Sequence, residues 1–214
     1  MALQLYFHPL SSYCWKALIA LYETGAAFDP IQLDFQNPEH DELLRKLWPL
    51  RKFPVLKDTT RDVVVPESST IIEYLAQHYP GPSRLVPDDP DLARQTRLRD
   101  RYFDLYIHNN LQKAVFDVIR PEGSKDPFGV EQARAEMRVA LTAIEPSINA
   151  KPWLMGDDFS QADCSAAPAL YYGQRIVPLD DFPNCAAYLK KLEARPSFAR
   201  VLKEAEPYFH MVPL

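Results

Sequence analysis

The first 33 residues of this chain place one helical segment between two strand-like segments, and this order limits the possible folds more than any other feature. Alternating apolar residues predict a strand over Leu3–Phe7, and a second run at residues 28–33 predicts another. Between them, four apolar residues recur at helical spacing: Cys14, Ala17, Leu18 and Leu21. A strand, a helix and a strand in this order predict a parallel pair joined by a right-handed crossover.

A hairpin and a further helix follow before residue 80. Residues 55–57 and 63–65 are short apolar segments on either side of a polar turn, which predicts an antiparallel hairpin. The segment from Pro66 to Ser69 then begins a helix with a stripe of apolar residues: Ile71, Ile72, Leu75 and Tyr79. The predicted order of elements is therefore βαβ, a helical connection, and ββα.

A proline-rich stretch separates this α/β part from a second part whose patterns are only helical. We predict an α/β domain over residues 1–80, a linker over residues 81–90 and an all-helical domain over residues 91–214. The first helical stretch, residues 91–119, carries apolar residues at helical spacing: Leu98, Tyr102, Leu105, Tyr106 and Leu111.

Two further helices are predicted over residues 129–148 and 184–205. Residues 164–171 between them carry almost no charge, which predicts a helix buried on all sides. Ser160 and Asp163 stand ahead of that helix at the spacing of a capping box.

Composition excludes several functional classes. The 214 residues carry a net charge of -5, and the pI near 5.6 argues against general nucleic-acid binding. The 3 cysteines do not form an even disulfide framework, and no apolar run reaches membrane-spanning length. No signal segment opens the sequence, so we expect a cytoplasmic protein with neither a nucleic acid nor a membrane as partner.

Two serines lie at the predicted start of the first helix. The unpaired N–H groups and partial positive charge of a helix N-terminus attract anions, so Ser11 and Ser12 occupy a natural anion site. One reading is that a serine only caps the helix. The other is that a serine hydroxyl points at a bound thiolate.

The sequence resembles the cytosolic glutathione S-transferases over essentially its full length. Residues 11–16 resemble the serine motif of the zeta and theta classes, and residues 53–56 resemble the segment that contains a cis proline. Glu67 and Ser68 resemble the acidic–serine pair of the family, and residues 160–163 resemble its capping box. The resemblance implies an α/β thioredoxin-like N-terminal domain (βαβ-ββα) followed by an all-α C-terminal helical domain.

The same resemblance implies how glutathione binds, with no metal. Ser11 is expected to contact the glutathione sulfur, and Ser12 is its competitor because residues 13 and 14 depart from the zeta pattern. Tyr6 lies near where other classes have a catalytic tyrosine, but its surroundings match the serine classes better. The remaining contacts to glutathione are expected from the glycyl end to the γ-glutamyl end, in this order: Lys52, Phe53, Pro54, Glu67 and Ser68.

A small electrophilic second substrate is expected between the two domains. Its candidate wall consists of Leu10, Tyr13, Tyr106, Asn109 and Asn110. The family also implies a homodimer. We expect its interface at residues 69–77 and on the charged helix after residue 91, with these charged residues: Arg94, Arg97, Arg99, Asp100, Arg101 and Asp104.

Two alternatives remain open at this stage. Cys14 has the position of the second cysteine in a thioredoxin CxxC motif, but serine replaces the first, so we interpret it as a core residue. We expect Cys164 in the core and Cys185 at the surface. The second alternative is a non-catalytic protein of the same fold, such as the stringent-starvation-type proteins that bind RNA polymerase.

Overall fold

The computed structural model of the chain describes residues 2–34 and 36–212. Its first part contains four strands and three helices. They are β1 (Leu3–Phe7), α1 (Ser12–Thr24), β2 (Phe28–Gln32), α2 (Pro38–Leu47), β3 (Val55–Asp58), β4 (Val63–Pro66) and α3 (Ser68–His78).

The four strands form one mixed sheet in the order β2-β1-β3-β4. β1 is parallel to β2 and antiparallel to β3, and β3 is antiparallel to β4, so the predicted parallel pair and hairpin are confirmed. Tyr6 is paired with Val55, which is paired with Pro66. The end of β1, the start of β3 and the end of β4 therefore meet at one edge of the sheet.

The second part is helical, as predicted. It contains α4 (Pro90–Tyr102), a π-helical segment (Phe103–His108), α5 (Asn109–Ile119), α6 (Pro127–Ile148), α7 (Gln161–Gly173), α8 (Pro183–Glu193) and α9 (Pro196–Ala205). The π segment joins α4 to α5 without a break, and Pro196 separates α8 from α9. None of the helices in the described part of the chain combines the length and apolar character that a membrane span requires.

Helix α7 forms the centre of the helical domain, as its sequence predicts. The Ser160 and Asp163 side chains make the complete capping box, and nearly every residue of α7 is buried. α7 packs against α1 and α4. Because α1 also packs on α3, one continuous hydrophobic core joins the two domains.

The predicted apolar face of residues 91–119 is wrong in part. Leu98, Leu105 and Tyr106 are 63%, 41% and 53% exposed. The face that is buried instead contains Ala93, Thr96, Asp100, Phe103, Ile107 and His108, together with the expected Leu111. The physical cause is that the inward face meets a buried lysine on α1 that needs acidic partners.

The cysteines differ from expectation at one position. Cys14 and Cys164 are buried as expected, but Cys185 is buried as well, so its predicted surface position is wrong. Cys185 lies on the inner face of α8 beside Glu145, whose carboxylate accepts a hydrogen bond from the Cys185 backbone N–H at 3.0 Å.

Candidate functional site

Three loops converge at the sheet edge defined by the strand register. The loop after β1 leads to Ser11, the loop before β3 contains the Phe53–Pro54 bond, and β4 leads directly to Glu67 and Ser68. The ring of His8 in the first loop lies 6.4 Å from the ring of Phe53. The fold therefore brings together the three segments that the sequence predicts to bind one ligand.

Ser11 is the N-cap of α1. Its Oγ accepts a hydrogen bond from the Cys14 backbone N–H at 3.3 Å, and Ser12 is the first helical residue. A serine hydroxyl carries one rotatable proton, so Ser11 can accept this bond and still donate to an anion. Capping and anion binding are thus compatible in the same side chain.

Cys14 is fully buried below the serine. Its sulfur accepts a hydrogen bond from the His8 backbone N–H at 3.5 Å. Burial raises the pKa of the Cys14 thiol to about 12, although the contacts with Ser11 and His8 act in the opposite direction. Cys14 is therefore a protonated thiol of the core, which does not suit it to nucleophilic redox chemistry.

The loop before β3 has the predicted cis bond. The Phe53–Pro54 peptide is cis, Pro54 is buried, and Lys52 is exposed to solvent beside them. Lys52 can thus approach a ligand carboxylate from the solvent side of the loop.

The segment after β4 presents a helix N-terminus to the same edge. Glu67 has a positive φ of 68° and is exposed, and its side chain makes no capping hydrogen bond to α3. Ser68 is 5% exposed and begins α3. A carboxylate next to helical N–H groups suits a zwitterionic amino-acid group, since it has both an ammonium and a carboxylate.

A buried ionic cluster lies behind these loops, and the sequence did not predict it. The Lys16 ammonium on α1 lies 2.6 Å from Asp100 Oδ1, 2.7 Å from Asp104 Oδ2 and 2.8 Å from Ser69 Oγ. The Ser165 hydroxyl on α7 lies 3.0 Å from Asp104 Oδ1. We call Lys16, Ser69, Asp100, Asp104 and Ser165 the Lys16 cluster.

The sequence contains two signals for this cluster. Lys16 is the only charged residue in an otherwise apolar stretch from Cys14 to Leu21, which indicates a buried charge. Asp100 and Asp104 are four residues apart and so share one helix face. The predicted placement of these two aspartates at a dimer interface is wrong, because both face α1 within the chain.

Charge pairing favours the charged forms of Lys16 and Asp104. Burial lowers the pKa of Lys16, but Asp104 and Asp100 outweigh it and raise that pKa above its usual value. Burial raises the pKa of Asp104, but the Lys16 ammonium outweighs it and holds that pKa well below its usual value. Burial raises the pKa of Asp100 against the opposing effect of the same ammonium.

His108 joins the Lys16 cluster to the first turn of α1. The imidazole is fully buried, its Nδ1 lies 3.5 Å from Asp104 Oδ1, and its ring lies 4.8 Å from the Tyr13 ring. Among the described residues, Nε2 has no hydrogen-bond partner. Burial, followed by the nearby carboxylates of Asp104 and Glu67, raises the pKa of the Tyr13 hydroxyl.

Comparisons with known proteins agree with this geometry. A profile of the glutathione S-transferase N-terminal domain matches residues 5–83, and one of the C-terminal domain matches residues 107–196. A stringent starvation protein A homolog of Coxiella burnetii is 31% identical over 205 residues, which cover 94% of this chain and 92% of that protein. The chain belongs to the glutathione S-transferase family.

Solved structures of the family have the same fold. A glutathione S-transferase of Methylobacterium radiotolerans, in complex with glutathione sulfonate, is 28% identical with a TM-score of 0.80 and 93% of each chain covered. One of Methylobacillus flagellatus, with glutathione bound, is 24% identical with a TM-score of 0.84 and covers 93% of this chain and 98% of that one. The thioredoxin-like domain followed by a helical domain is therefore the glutathione S-transferase arrangement.

The residues of the predicted wall for a second substrate lie in two separate places in the structure. The Leu10 carbonyl accepts a hydrogen bond from the Tyr172 hydroxyl at 3.0 Å, and Tyr13 faces His108. The Tyr106 ring instead packs against Tyr102, whose hydroxyl donates to a carbonyl of α6.

The two asparagines of the predicted wall are near Tyr106 in sequence, at the start of α5. Asn109 is exposed, and the Asn110 side chain donates to the Tyr106 carbonyl at 2.9 Å. Within the described ranges, no group of three potential ligands could hold a metal ion.

Proposed function

We propose that this family member is a serine-type glutathione transferase, similar to the zeta and theta classes, in which Ser11 stabilises the glutathione thiolate. The observation that carries the proposal is the convergence of Ser11, the cis Phe53–Pro54 bond and Glu67–Ser68 at one sheet edge. The related Methylobacterium radiotolerans protein, solved with glutathione sulfonate, supports glutathione as the ligand.

The chemistry needs only a modest stabilisation of the thiolate. A free thiol has a pKa of about 8.5, so little of it is ionised at neutral pH. Lowering this pKa by about two units requires roughly 2.7 kcal/mol. A hydrogen bond to a charged group supplies about 1.5–3 kcal/mol, and the N-terminus of α1 adds a favourable dipole.

The other residues at the edge match the remaining groups of glutathione. The Phe53 backbone pairs with the cysteinyl part in the manner of an added strand, and Lys52 meets the glycyl carboxylate. Glu67 accepts from the γ-glutamyl ammonium, while Ser68 and the first N–H groups of α3 bind the adjacent carboxylate.

We place the electrophile between the domains, at Leu10 and Tyr13, with the fully buried His108 behind the Tyr13 ring. Tyr106, Asn109 and Asn110 stay predicted members of the same wall. Conjugation of a small electrophile by the thiolate is a detoxification reaction, and it requires no metal and no general base in this scheme.

The test is the ionisation of bound glutathione. We expect Ser11→Ala to raise the pKa of the bound thiol by about one to two units, because it loses one charge-assisted hydrogen bond. Thiolate absorbance of the complex against pH measures this shift, and conjugation of an activated aryl chloride measures its consequence. Ser12→Ala is the matched control and is expected to shift the pKa less. An unchanged titration in Ser11→Ala would transfer the role to Ser12 or Tyr6.

A second candidate function is a non-catalytic regulatory protein. The name of the Coxiella burnetii relative, a stringent starvation protein A homolog, favours it. Retention of the purified chain on a glutathione resin together with conjugation activity supports the transferase. Failure in both assays supports the regulatory role.

We also propose a cytoplasmic homodimer. The three unpaired, buried cysteines suit a reducing compartment.

The exposed Leu98 and the outward side of α4 provide an apolar and charged face for a second copy. Arg97 is already paired with Glu73 at 2.8 Å within the chain. Sedimentation equilibrium is expected to give twice 24.6 kDa for the native chain, and the single-chain mass for Leu98→Asp.

A further inference from the structure

Lys16 reaches across three elements that bear on the proposed glutathione site. It lies on α1, in the helix that begins with Ser11 and Ser12, and its ammonium is fully buried. Its three short contacts go to Ser69 on α3 and to Asp100 and Asp104 on the α4 side. The ammonium donates hydrogen bonds to Ser69 and Asp104 and forms an ion pair with Asp100.

Ser69 extends the contact to the other half of the proposed site. Its Oγ receives a hydrogen bond from Lys16 and donates to Asp100 Oδ2 at 2.7 Å. Ser69 directly follows Ser68, the first residue of α3. The N-terminus of α1 and the N-terminus of α3 are thus connected by one side chain, and both are fixed to the helical domain.

Such a buried charged group is not explained by stability alone. Replacing a buried ion pair with apolar residues of similar size is often neutral or stabilising, because desolvation offsets the Coulomb attraction. The geometric effect is more specific, since two short hydrogen bonds and one ion pair from a single ammonium fix the distance between two helices.

We infer that Lys16 is a positioning residue of the glutathione site, which holds the serine end of α1 and the γ-glutamyl end of α3 at the spacing of one glutathione molecule. This inference rests on the proposed function. Lys16 touches neither the thiol nor the γ-glutamyl group, and it acts on both through the helices that carry Ser11 and Ser68.

The chain contains a matched control at the other end of α1. Glu23 is buried there and accepts hydrogen bonds from Arg195 at 2.6 Å and from Ser197 at 2.5 Å. These contacts also join α1 to the helical domain. They involve neither α3 nor the sheet edge, so they serve as an interdomain tie without a link to the site.

The experiment compares Ser69→Ala with Ser197→Ala by calorimetric titration with glutathione and by thermal unfolding. Each variant removes one hydroxyl from one cluster and leaves the buried charges paired. We expect Ser69→Ala to raise the dissociation constant of glutathione about tenfold, because small misplacement of binding groups has a large effect. Ser197→Ala is expected to leave the dissociation constant unchanged at a similar melting temperature.

A second variant removes the charges altogether. Lys16→Met combined with Asp100→Asn and Asp104→Asn leaves no unpaired buried ion, so we expect it to fold and to bind glutathione at least as weakly as Ser69→Ala. Equal glutathione affinity in the wild type, Ser69→Ala and the triple variant would overturn the inference and leave the proposed function intact. Equal loss of affinity in Ser69→Ala and Ser197→Ala would also overturn it. Failure of the wild type to bind glutathione would overturn the proposed function itself, and the inference with it.

Discussion

The two ends of helix α1 join the domains with ionic clusters of opposite design. At one end, the Lys16 cluster surrounds a buried cation with two carboxyl groups and hydroxyls. At the other end, Glu23 is a buried anion that accepts from the Arg195 guanidinium and from the hydroxyls of Ser83 and Ser197. We call Glu23, Ser83, Arg195 and Ser197 the Glu23 cluster.

The clusters differ in how completely water is excluded. The Lys16 side chain is 0% exposed, whereas the Arg195 side chain is 23% exposed. Arg195 also lies over two aromatic rings, 4.7 Å from that of Trp153 and 4.2 Å from that of Phe159. The cation of the Glu23 cluster is therefore partly hydrated, while the cation of the Lys16 cluster is not, although Asp104 beside it is 18% exposed. Loss of a charge should be far more costly at the Lys16 end.

Lys16→Met is expected to have the largest effect on stability. It leaves the buried Asp100 and the half-buried Asp104 without a cation, and such loss of one partner costs about 3–5 kcal/mol. Urea unfolding followed by far-UV circular dichroism measures the change in the free energy of unfolding. A loss smaller than that of Arg195→Met would contradict the difference between the two ends.

Arg195→Met is expected to have an intermediate effect. Glu23 loses its two charge-assisted bonds but keeps those from Ser83 and Ser197, and water can reach the Arg195 position. We expect a loss of about 2 kcal/mol in the free energy of unfolding. The same urea titration measures it, and glutathione affinity should stay at the wild-type value. A drop in that affinity would show that this end also shapes the site.

Lowering the pH tests the Glu23 cluster separately, and we expect a smaller effect on the free energy of unfolding. Burial raises the pKa of Glu23, but hydrogen bonds from Arg195 and the two serines outweigh it and lower that pKa. A lowered folded-state pKa means that the carboxylate stabilises the fold above its ordinary pKa of about 4.3, and that this contribution is lost as the pH falls.

The matching variant is Glu23→Gln, which removes this titration. Between pH 6 and pH 3.5, we expect the wild type to lose about 1 kcal/mol more of its unfolding free energy than Glu23→Gln does. Asp104, whose pKa is also lowered, contributes the same acid slope to both proteins and cancels in the comparison. Parallel pH profiles would contradict the assigned pairing of Glu23.

The two ends also show what the sequence could and could not predict. The strands, the hairpin and the buried helix α7 follow from local patterns, since each element has one apolar face or is apolar all round. The strand register then brings Ser11, Pro54 and Glu67 to one edge with no further information. These elements could be predicted because each pattern involves residues that are close together in the sequence.

The Lys16 cluster was missed because its partners are distant in sequence. Lys16 and Asp104 are 88 positions apart, and a hydrophobic pattern assigns an aspartate to the solvent side of a helix. The residues that pack inward, among them Thr96, Asp100 and Ile107, follow helical spacing on a different face, so Leu98 and Tyr106 are exposed. Only the contacts of Lys16 with Asp100 and Asp104 reveal that the buried face is partly polar.

Chemical modification of the Cys14 thiol is the smallest of the expected effects. Cys14 is a local probe of the Lys16 end of α1, because it lies two residues before Lys16 on the same helix. Its thiol is fully buried and its pKa is about 12, so a native protein at pH 8 should show almost no modification by a thiol reagent over hours. Mass spectrometry of digested protein measures the modified fraction, and Cys14→Ser identifies the peptide. Lys16→Met should accelerate the modification more than Arg195→Met does, because it opens the end of α1 that carries Cys14. Rapid modification of the native wild type, with conjugation activity lost in Cys14→Ser, would instead assign Cys14 a chemical role at the site.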